Sequence, residues 1–259
     1  MEKLTHNYFN TYQSLLDVTI RKQFEEVKET EWNAKNFTFF TAVSVMSSSR
    51  IEGEDLEVDS YVKHKVLDIE YLSNLTEKPN DLYRAYEFAR DTKLSVESFA
   101  HAHEIATTHL LPKAQRGKVR TGNMLIMEQQ TNRVQYEAPH AGIVKNEYDL
   151  FWMELSALIN ADLSIEEVFY YASFIHLVFV KIHPFNDGNG RTGRLLEKWF
   201  LVNKLGEKAW FIASENYYYQ NLQSYYNNLA RVGLFYEEIN YEKGLPFFQM
   251  LPNALIVKK

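Results

Sequence analysis

The chain has 259 residues, 46% apolar and 24% charged, which suits a globular protein with a sizeable core and excludes low-complexity disorder. Its 28 Lys and Arg against 34 Asp and Glu leave a formal net charge of −6, which argues against a general nucleic-acid binder. There is no Cys, so disulfides, thiolate nucleophiles and Cys-ligated metals are excluded. The first residues lack the layout of a signal peptide, and the longest uncharged apolar run, Val168 to Val180, is shorter than the roughly 20 residues of a membrane span. A cytoplasmic chain with no membrane partner is expected.

Helical periodicity dominates. Phe9, Tyr12, Leu16 and Ile20 predict one long N-terminal helix. A second, from near Asn36, carries Phe40, Val43 and Ser47 towards Glu52 and stops at Gly53. Leu82, Ala85, Tyr86 and Ala89 mark a third. Val96 to Leu110 forms the next, with Ser95 as N-cap and Pro112 closing it. Met124–Met127 and Arg133–Tyr136, around polar Gln129–Asn132, predict a single β-hairpin. Helices resume with Phe151, Trp152, Leu155 and Leu158. Ser164 and Glu167 have capping-box spacing ahead of a helix apolar nearly all round, which is therefore central. Leu195 to Phe200 and Leu222 to Leu229 complete the pattern. No linker or repeat divides the chain, so one all-α domain with one hairpin over residues 1–259 is expected.

The chemistry concentrates in His183-Pro184-Phe185-Asn186-Asp187-Gly188-Asn189-Gly190-Arg191-Thr192-Gly193-Arg194. Pro184 ends the central helix. Backbone N–H groups of Gly188, Asn189 and Gly190 then start the next helix without acceptors and, with its dipole, make an anion site. Arg191 and Arg194, three apart, can turn to one polyanion. Asp187 can hold a Mg²⁺ that bridges phosphates, and His183 can accept a proton near neutral pH. Together they suggest nucleotidyl or phosphoryl transfer. The same letters satisfy G-x-G-x-x-G, but a helix precedes them and no βαβ unit surrounds them, so a dinucleotide fold is set aside. His101, His103 and His109 lack metal-site spacing and read as ordinary helix residues.

This segment resembles the signature of the Fic family, His-Pro-Phe-x-Asp/Glu-Gly-Asn-Gly/Lys-Arg-x-x-Arg, at every defined position. The resemblance extends from about residue 40 to 233. It includes the lead-in to the hairpin, Gly117-Lys118-Val119-Arg120, the "flap" hairpin itself, and the run Tyr225-Tyr226-Asn227-Asn228-Leu229. It implies the Fic fold, a helical bundle with a hairpin flap over the active site: N-terminal helices in 1–60, a core over about 80–233 and a tail over 234–259. It also implies transfer of AMP from MgATP to a hydroxyl side chain of a target protein, self-modification included. His183 would be the base and Asp187 the Mg²⁺ ligand. Gly188, Asn189 and Gly190 would cradle the α- and β-phosphates. Arg191 would bind the β-phosphate and Arg194 the γ-phosphate, while Phe185 aims the loop. Gly190 stands where the Doc-like kinase branch carries Lys, which favours AMP transfer.

Ser48-Ser49-Arg50-Ile51-Glu52-Gly53 resembles the family's inhibitory motif, Ser/Thr-x-x-x-Glu-Gly/Asn, in the class whose inhibitory helix (here about 40–52) precedes the core. The resemblance implies that Glu52 pairs with Arg194; an Arg bidentate with a carboxylate cannot offer its fork to a γ-phosphate. Tyr225 and Tyr226 read as core or groove packing, and the resemblance places them near the adenine. The flap, with Met124, Leu125, Ile126, Val134 and Tyr136, would clamp a target segment by strand addition. Two alternatives stay open. One is removal of AMP from a modified protein, with Glu52 orienting water; the other is a non-catalytic nucleotide-binding module.

Overall fold

The structure, a computed structural model, describes residues 3–17, 19–27, 34–127 and 134–256. The N-terminal stripe folds as two short helices, α1 (Phe9–Ser14) and α2 (Ile20–Glu26), not one long one. Asp17 and the β-branched Thr19 disfavour helix between them. The break still lets Tyr12 and Ile20 both reach the core, each at most 1% exposed.

Helix α3 (Ala34–Ile51) ends one residue before Glu52, and Gly53 turns the chain at φ +88°. Helix α4 (Val58–Leu67), not anticipated from the sequence, buries only Tyr61 fully, so its apolar stripe is too short to read. Helix α5 (Ser73–Asp91) starts well before Leu82 and runs through Pro79; burial of the Pro79 ring with Leu82, Tyr83, Ala85 and Tyr86 offsets the lost backbone hydrogen bond. Helix α6 (Val96–Ala106) begins at a capping box between Ser95 and Ser98. It stops short of Leu110. Thr107 and Thr108 turn their hydroxyls back onto the carbonyls of His103 and Ile105, which competes with further helix.

Strands β1 (Leu125–Met127) and β2 (Val134–Glu137) pair antiparallel, Ile126 opposite Tyr136, with a register shift between Ile126 and Met127. The expected turn at Gln129–Asn132 lies outside the described residues. Helix α7 (Ala141–Asn160) then leads to α8 (Ile165–Ile182). The predicted capping box at its start is present: Ser164 Oγ accepts from Glu167 N–H, and the Glu167 carboxylate accepts from Ser164 N–H.

Nearly every residue of α8 is buried, and α9 (Asn189–Leu205), joined to it by the signature loop, packs along it. Helices α10 (Ser214–Gln220) and α11 (Leu222–Ala230) lie beyond, with α10 against α3. The segment after Gly233, expected as a tail, forms α12 (Leu245–Phe248) and α13 (Met250–Asn253). It buries Phe247, Phe248 and Leu251, so the contiguous core runs from Leu4 to Leu255. Among the described residues no helix is long and apolar enough to cross a membrane.

Candidate active site

The loop between α8 and α9 is held from several sides. His183 ends α8 in the left-handed region at φ +50°, a conformation that non-glycine residues adopt only when their surroundings enforce it. Arg120 supplies the enforcement: its Nε–H donates to the His183 carbonyl at 2.8 Å and its backbone N–H to the Pro184 carbonyl at 2.8 Å. Two residues on, Phe185 is fully buried and its ring lies 3.7 Å from that of His103, with Phe99, Phe179 and Tyr148 around it. His103, read from sequence as an ordinary helix residue, is a tether. Its Nδ1 accepts from Gly117 N–H and its Nε2–H donates to the Asp187 carbonyl, both at 2.9 Å. Burial pushes its pKa down to about 4, which keeps that neutral tautomer.

His183 Nδ1–H donates to the Val180 carbonyl at 3.1 Å, which leaves Nε2 as the unprotonated nitrogen. Burial lowers the pKa of this imidazole to about 4 as well. The Asp187 side chain is exposed; Oδ1 accepts from Gly188 N–H at 2.6 Å, and its other oxygen is open. A single open carboxylate suits Mg²⁺, which binds through one or two carboxylates plus substrate phosphates. Gly188 caps α9 at φ +78°, and a β-carbon there would meet the Thr107 methyl at 2.6 Å, so both conformation and space require glycine. Asn189 turns its side chain inward: Oδ1 accepts from Phe185 N–H and Nδ2 donates to the Phe185 carbonyl. Only its backbone is left for an anion. The amides of Asn189, Gly190 and Arg191 find no acceptor among the described residues, which fits a phosphate cradle.

Arg194 is 1% exposed and engaged on every nitrogen. Nε donates to Ser48 Oγ (2.8 Å), Nη2 to the Ser48 carbonyl (3.1 Å) and to Glu52 Oε1 (2.6 Å), and Nη1 to the Tyr225 hydroxyl (3.1 Å). Glu52 thus meets the guanidinium through one oxygen, not as the expected bidentate fork; Ser48 takes the second position. Burial alone would raise the pKa of Glu52, but Arg194 and Arg191 more than offset it and hold the carboxyl below its usual range. Two neighbours fasten the motif: Tyr226 donates its hydroxyl hydrogen to the Ile51 carbonyl at 2.9 Å, and Arg50 Nε donates to the Tyr219 hydroxyl at 2.9 Å.

The family model described as Fic/DOC family matches residues 93–201, which hold the flap and the whole signature. These residues are a Fic/DOC family domain. A Fic family protein from Desulfovibrio desulfuricans G20 superposes with a TM-score of 0.73 at 20% identity, over 91% of this chain and 70% of that one. A Fic domain containing signaling protein from Bacteroides thetaiotaomicron VPI-5482 follows at TM-score 0.67 and 16% identity, over 91% and 92% of the two chains. Fic-1 from C. elegans gives TM-score 0.59 at 15% identity, over 96% and 68%. At these identities the likeness is one of fold: a helical bundle with a two-stranded flap. No curated protein sequence matches the chain.

Tyr225 and Tyr226 lie beyond the segment matched as a Fic domain. Tyr225, read as core or groove packing, is 1% exposed and sits behind Arg194; its hydroxyl also lies 3.0 Å from His176 Nε2, whose Nδ1 is 2.8 Å from Glu197 Oε2. Tyr226 is committed to α3. Of the flap residues, Tyr136 is buried and donates to the Lys181 carbonyl at 2.7 Å, so it anchors the hairpin and cannot meet a target. Leu125 and Val134 are exposed, 53% and 41%, and Ile126 and Met124 are half-buried, Met124 lying outside the strand with its carbonyl accepting from Ala138 N–H.

Three residues escaped the sequence reading. Glu54 accepts from Arg191 Nη2 at 2.8 Å and from Lys78 Nζ at 3.0 Å. His176 is the third, and it had a signal: a lone imidazole in an otherwise apolar helix must find a partner. Glu54 and Lys78 had none, because each looks like a solvated charge until the turn after α3 folds over α9.

Proposed function

We propose that this protein is an autoinhibited protein adenylyltransferase that transfers AMP from MgATP to a Ser, Thr or Tyr hydroxyl of a target protein. The observation that carries the reading is His183, with an unprotonated Nε2, at the end of α8 and joined by the signature loop to a helix whose first amides lack acceptors among the described residues. Nε2 takes the proton of the target hydroxyl as its oxygen bonds to the α-phosphorus and the bond to the β-phosphate oxygen breaks, releasing diphosphate. A positioned base of this kind contributes about 10²–10⁴-fold. The amides of Asn189 and Gly190 hold charge that builds on the phosphoryl oxygens, where fixed dipoles act without reorganising. Asp187 would hold Mg²⁺, which neutralises phosphate charge. Arg191 and Arg194 would hold the outer phosphates.

In the form described, Glu52 and Ser48 occupy Arg194, and the Glu52 carboxylate lies against Gly190. That arrangement supports Glu52 as a brake on productive ATP binding. The test is incubation of wild type, Glu52→Gly and Glu52→Gly/His183→Ala with Mg²⁺ and ATP radiolabelled at the α-phosphate, alone and with cell lysate. Label on protein in Glu52→Gly alone is the expected result. No label in any variant, with MgATP binding intact, would favour AMP removal or a non-catalytic module.

A further inference from the structure

Resting on the nucleotide reading above, in which Arg191 holds an outer phosphate, we propose that Glu54 is a second brake, acting on Arg191, and that Lys78, which shares the Glu54 carboxylate oxygen with Arg191, completes that phosphate subsite. The two arginines of α9 are each met by a carboxylate from one short turn: Arg194 by Glu52 and Arg191 by Glu54. Three residues apart on the helix, they lie on neighbouring positions, and the turn presents its acids two residues apart to match. Arg50 holds that turn in shape, because its Nη1 donates to the carbonyls of Glu54 and Asp55 at 3.2 and 2.8 Å. Removing the Glu52 side chain therefore leaves Glu54 in place.

A single oxygen, Glu54 Oε1, accepts from Arg191 at 2.8 Å and from Lys78 at 3.0 Å, the latter reaching over from α5. This is how a phosphate oxygen sits between two cations, and the carboxylate stands in its place. The Arg191 side chain is 5% exposed, and its Nε–H is buried with no acceptor among the described residues. Once Glu54 leaves, a buried guanidinium and an ammonium face one position without a counter-charge. That state is costly unless an anion enters. Glu54 is 13% exposed and Lys78 38%, so the subsite opens to solvent on the lysine side, where a nucleotide's distal end can enter.

The experiment is calorimetric titration of MgATP, with MgAMP as control, in a His183→Ala background that prevents turnover. Adding Glu54→Ala to Glu52→Gly is expected to tighten MgATP about 3- to 10-fold, the range of one partly screened charge-assisted contact, and to leave MgAMP within about twofold. Glu54→Gln, which keeps the shape and loses the charge, gives a smaller gain in the same direction. Lys78→Gln in the Glu52→Gly/Glu54→Ala protein cancels the gain for MgATP only, and Lys78→Arg retains it. MgATP affinity unchanged by both Glu54 substitutions, or MgATP and MgAMP changed alike, would overturn the subsite while leaving the nucleotide reading intact. Failure of every variant, Glu52→Gly included, to bind MgATP would overturn both.

Discussion

Glu52 and Gly190 touch in a way that only glycine permits: a β-carbon built on residue 190 would lie 2.2 Å from Glu52 Oε1 and 3.1 Å from its carboxyl carbon. The Glu52 carboxylate thus rests against the backbone of the first turn of α9. The absence of a side chain at 190 makes room for the Glu52 carboxylate. Gly190→Ala should therefore push Glu52 off Arg194. A double-mutant cycle of Gly190→Ala with Glu52→Gly, read by urea unfolding, should show the second substitution costing at least 0.5 kcal/mol less once the first is present, about the threshold for coupled neighbours. Additive effects would mean that the carboxylate stays put.

Release of Arg194 should be visible in turnover. Glu52→Gly removes one charge-assisted contact, 30% exposed on the Glu52 side, and should raise self-labelling by roughly tenfold or more. Arg194→Ala added to it should bring labelling back down. Equal labelling by wild type and Glu52→Gly would remove the case for a brake.

The pH profile follows from burial of the histidines. His183 and His103 both have pKa values pushed down to about 4, against about 6.5 in an unfolded chain. Between these values the unfolded chain binds protons that the folded one does not, so stability is complete above pH 6.5 and declines as pH falls towards 4. The His183 imidazole stays deprotonated in that same window. Labelling by Glu52→Gly should then hold within about twofold from pH 8 to pH 5.5 instead of halving near 6.5. The Glu52 charge tends to raise the pKa of His183, so its removal widens this plateau. A midpoint near 6.5 in the rate profile would mean that burial does not hold the His183 imidazole down.

Arg194 is aimed by a buried chain that passes through the Tyr225 hydroxyl to His176 and Glu197. Burial pushes the Tyr225 hydroxyl up, so it keeps its hydrogen and serves Arg194 as a neutral acceptor. Tyr225→Phe leaves an Arg194 N–H and a His176 nitrogen without partners and should cost about 1–3 kcal/mol in chemical unfolding. In the Glu52→Gly protein it should also weaken MgATP several-fold with MgAMP little changed. Equal weakening of both would place Tyr225 at the adenine after all.

Phe185 is the plug that sets the height of the signature loop. Phe185→Ala opens a cavity among His103, Phe99, Phe179 and Tyr148 and should cost about 3–5 kcal/mol. Phe185→Leu, closer in volume, should cost less while still lowering the labelling of Glu52→Gly. Unchanged stability and labelling in both would show that the loop is held by Arg120 and Asn189 alone.

Local signals were enough for much of this protein. The capping box of Ser164 and Glu167, the all-round apolar face of α8, the stop at Pro184 and the glycines at 188 and 190 depend on neighbours a few residues away, and each is readable in order along the chain. The signature itself is contiguous, so its base, carboxylate, amides and two arginines could be named before any fold was known. Tertiary structure decided what cannot be written locally. It split the first helix to fit both halves against α8, turned Tyr136 inward as an anchor, placed Tyr225 behind Arg194, and set Glu54 and Lys78 on Arg191. Partners far apart in sequence meet only when the core closes. Whether a charged or aromatic side chain is solvated, buried or paired depends on that closure and not on its own neighbours in the chain.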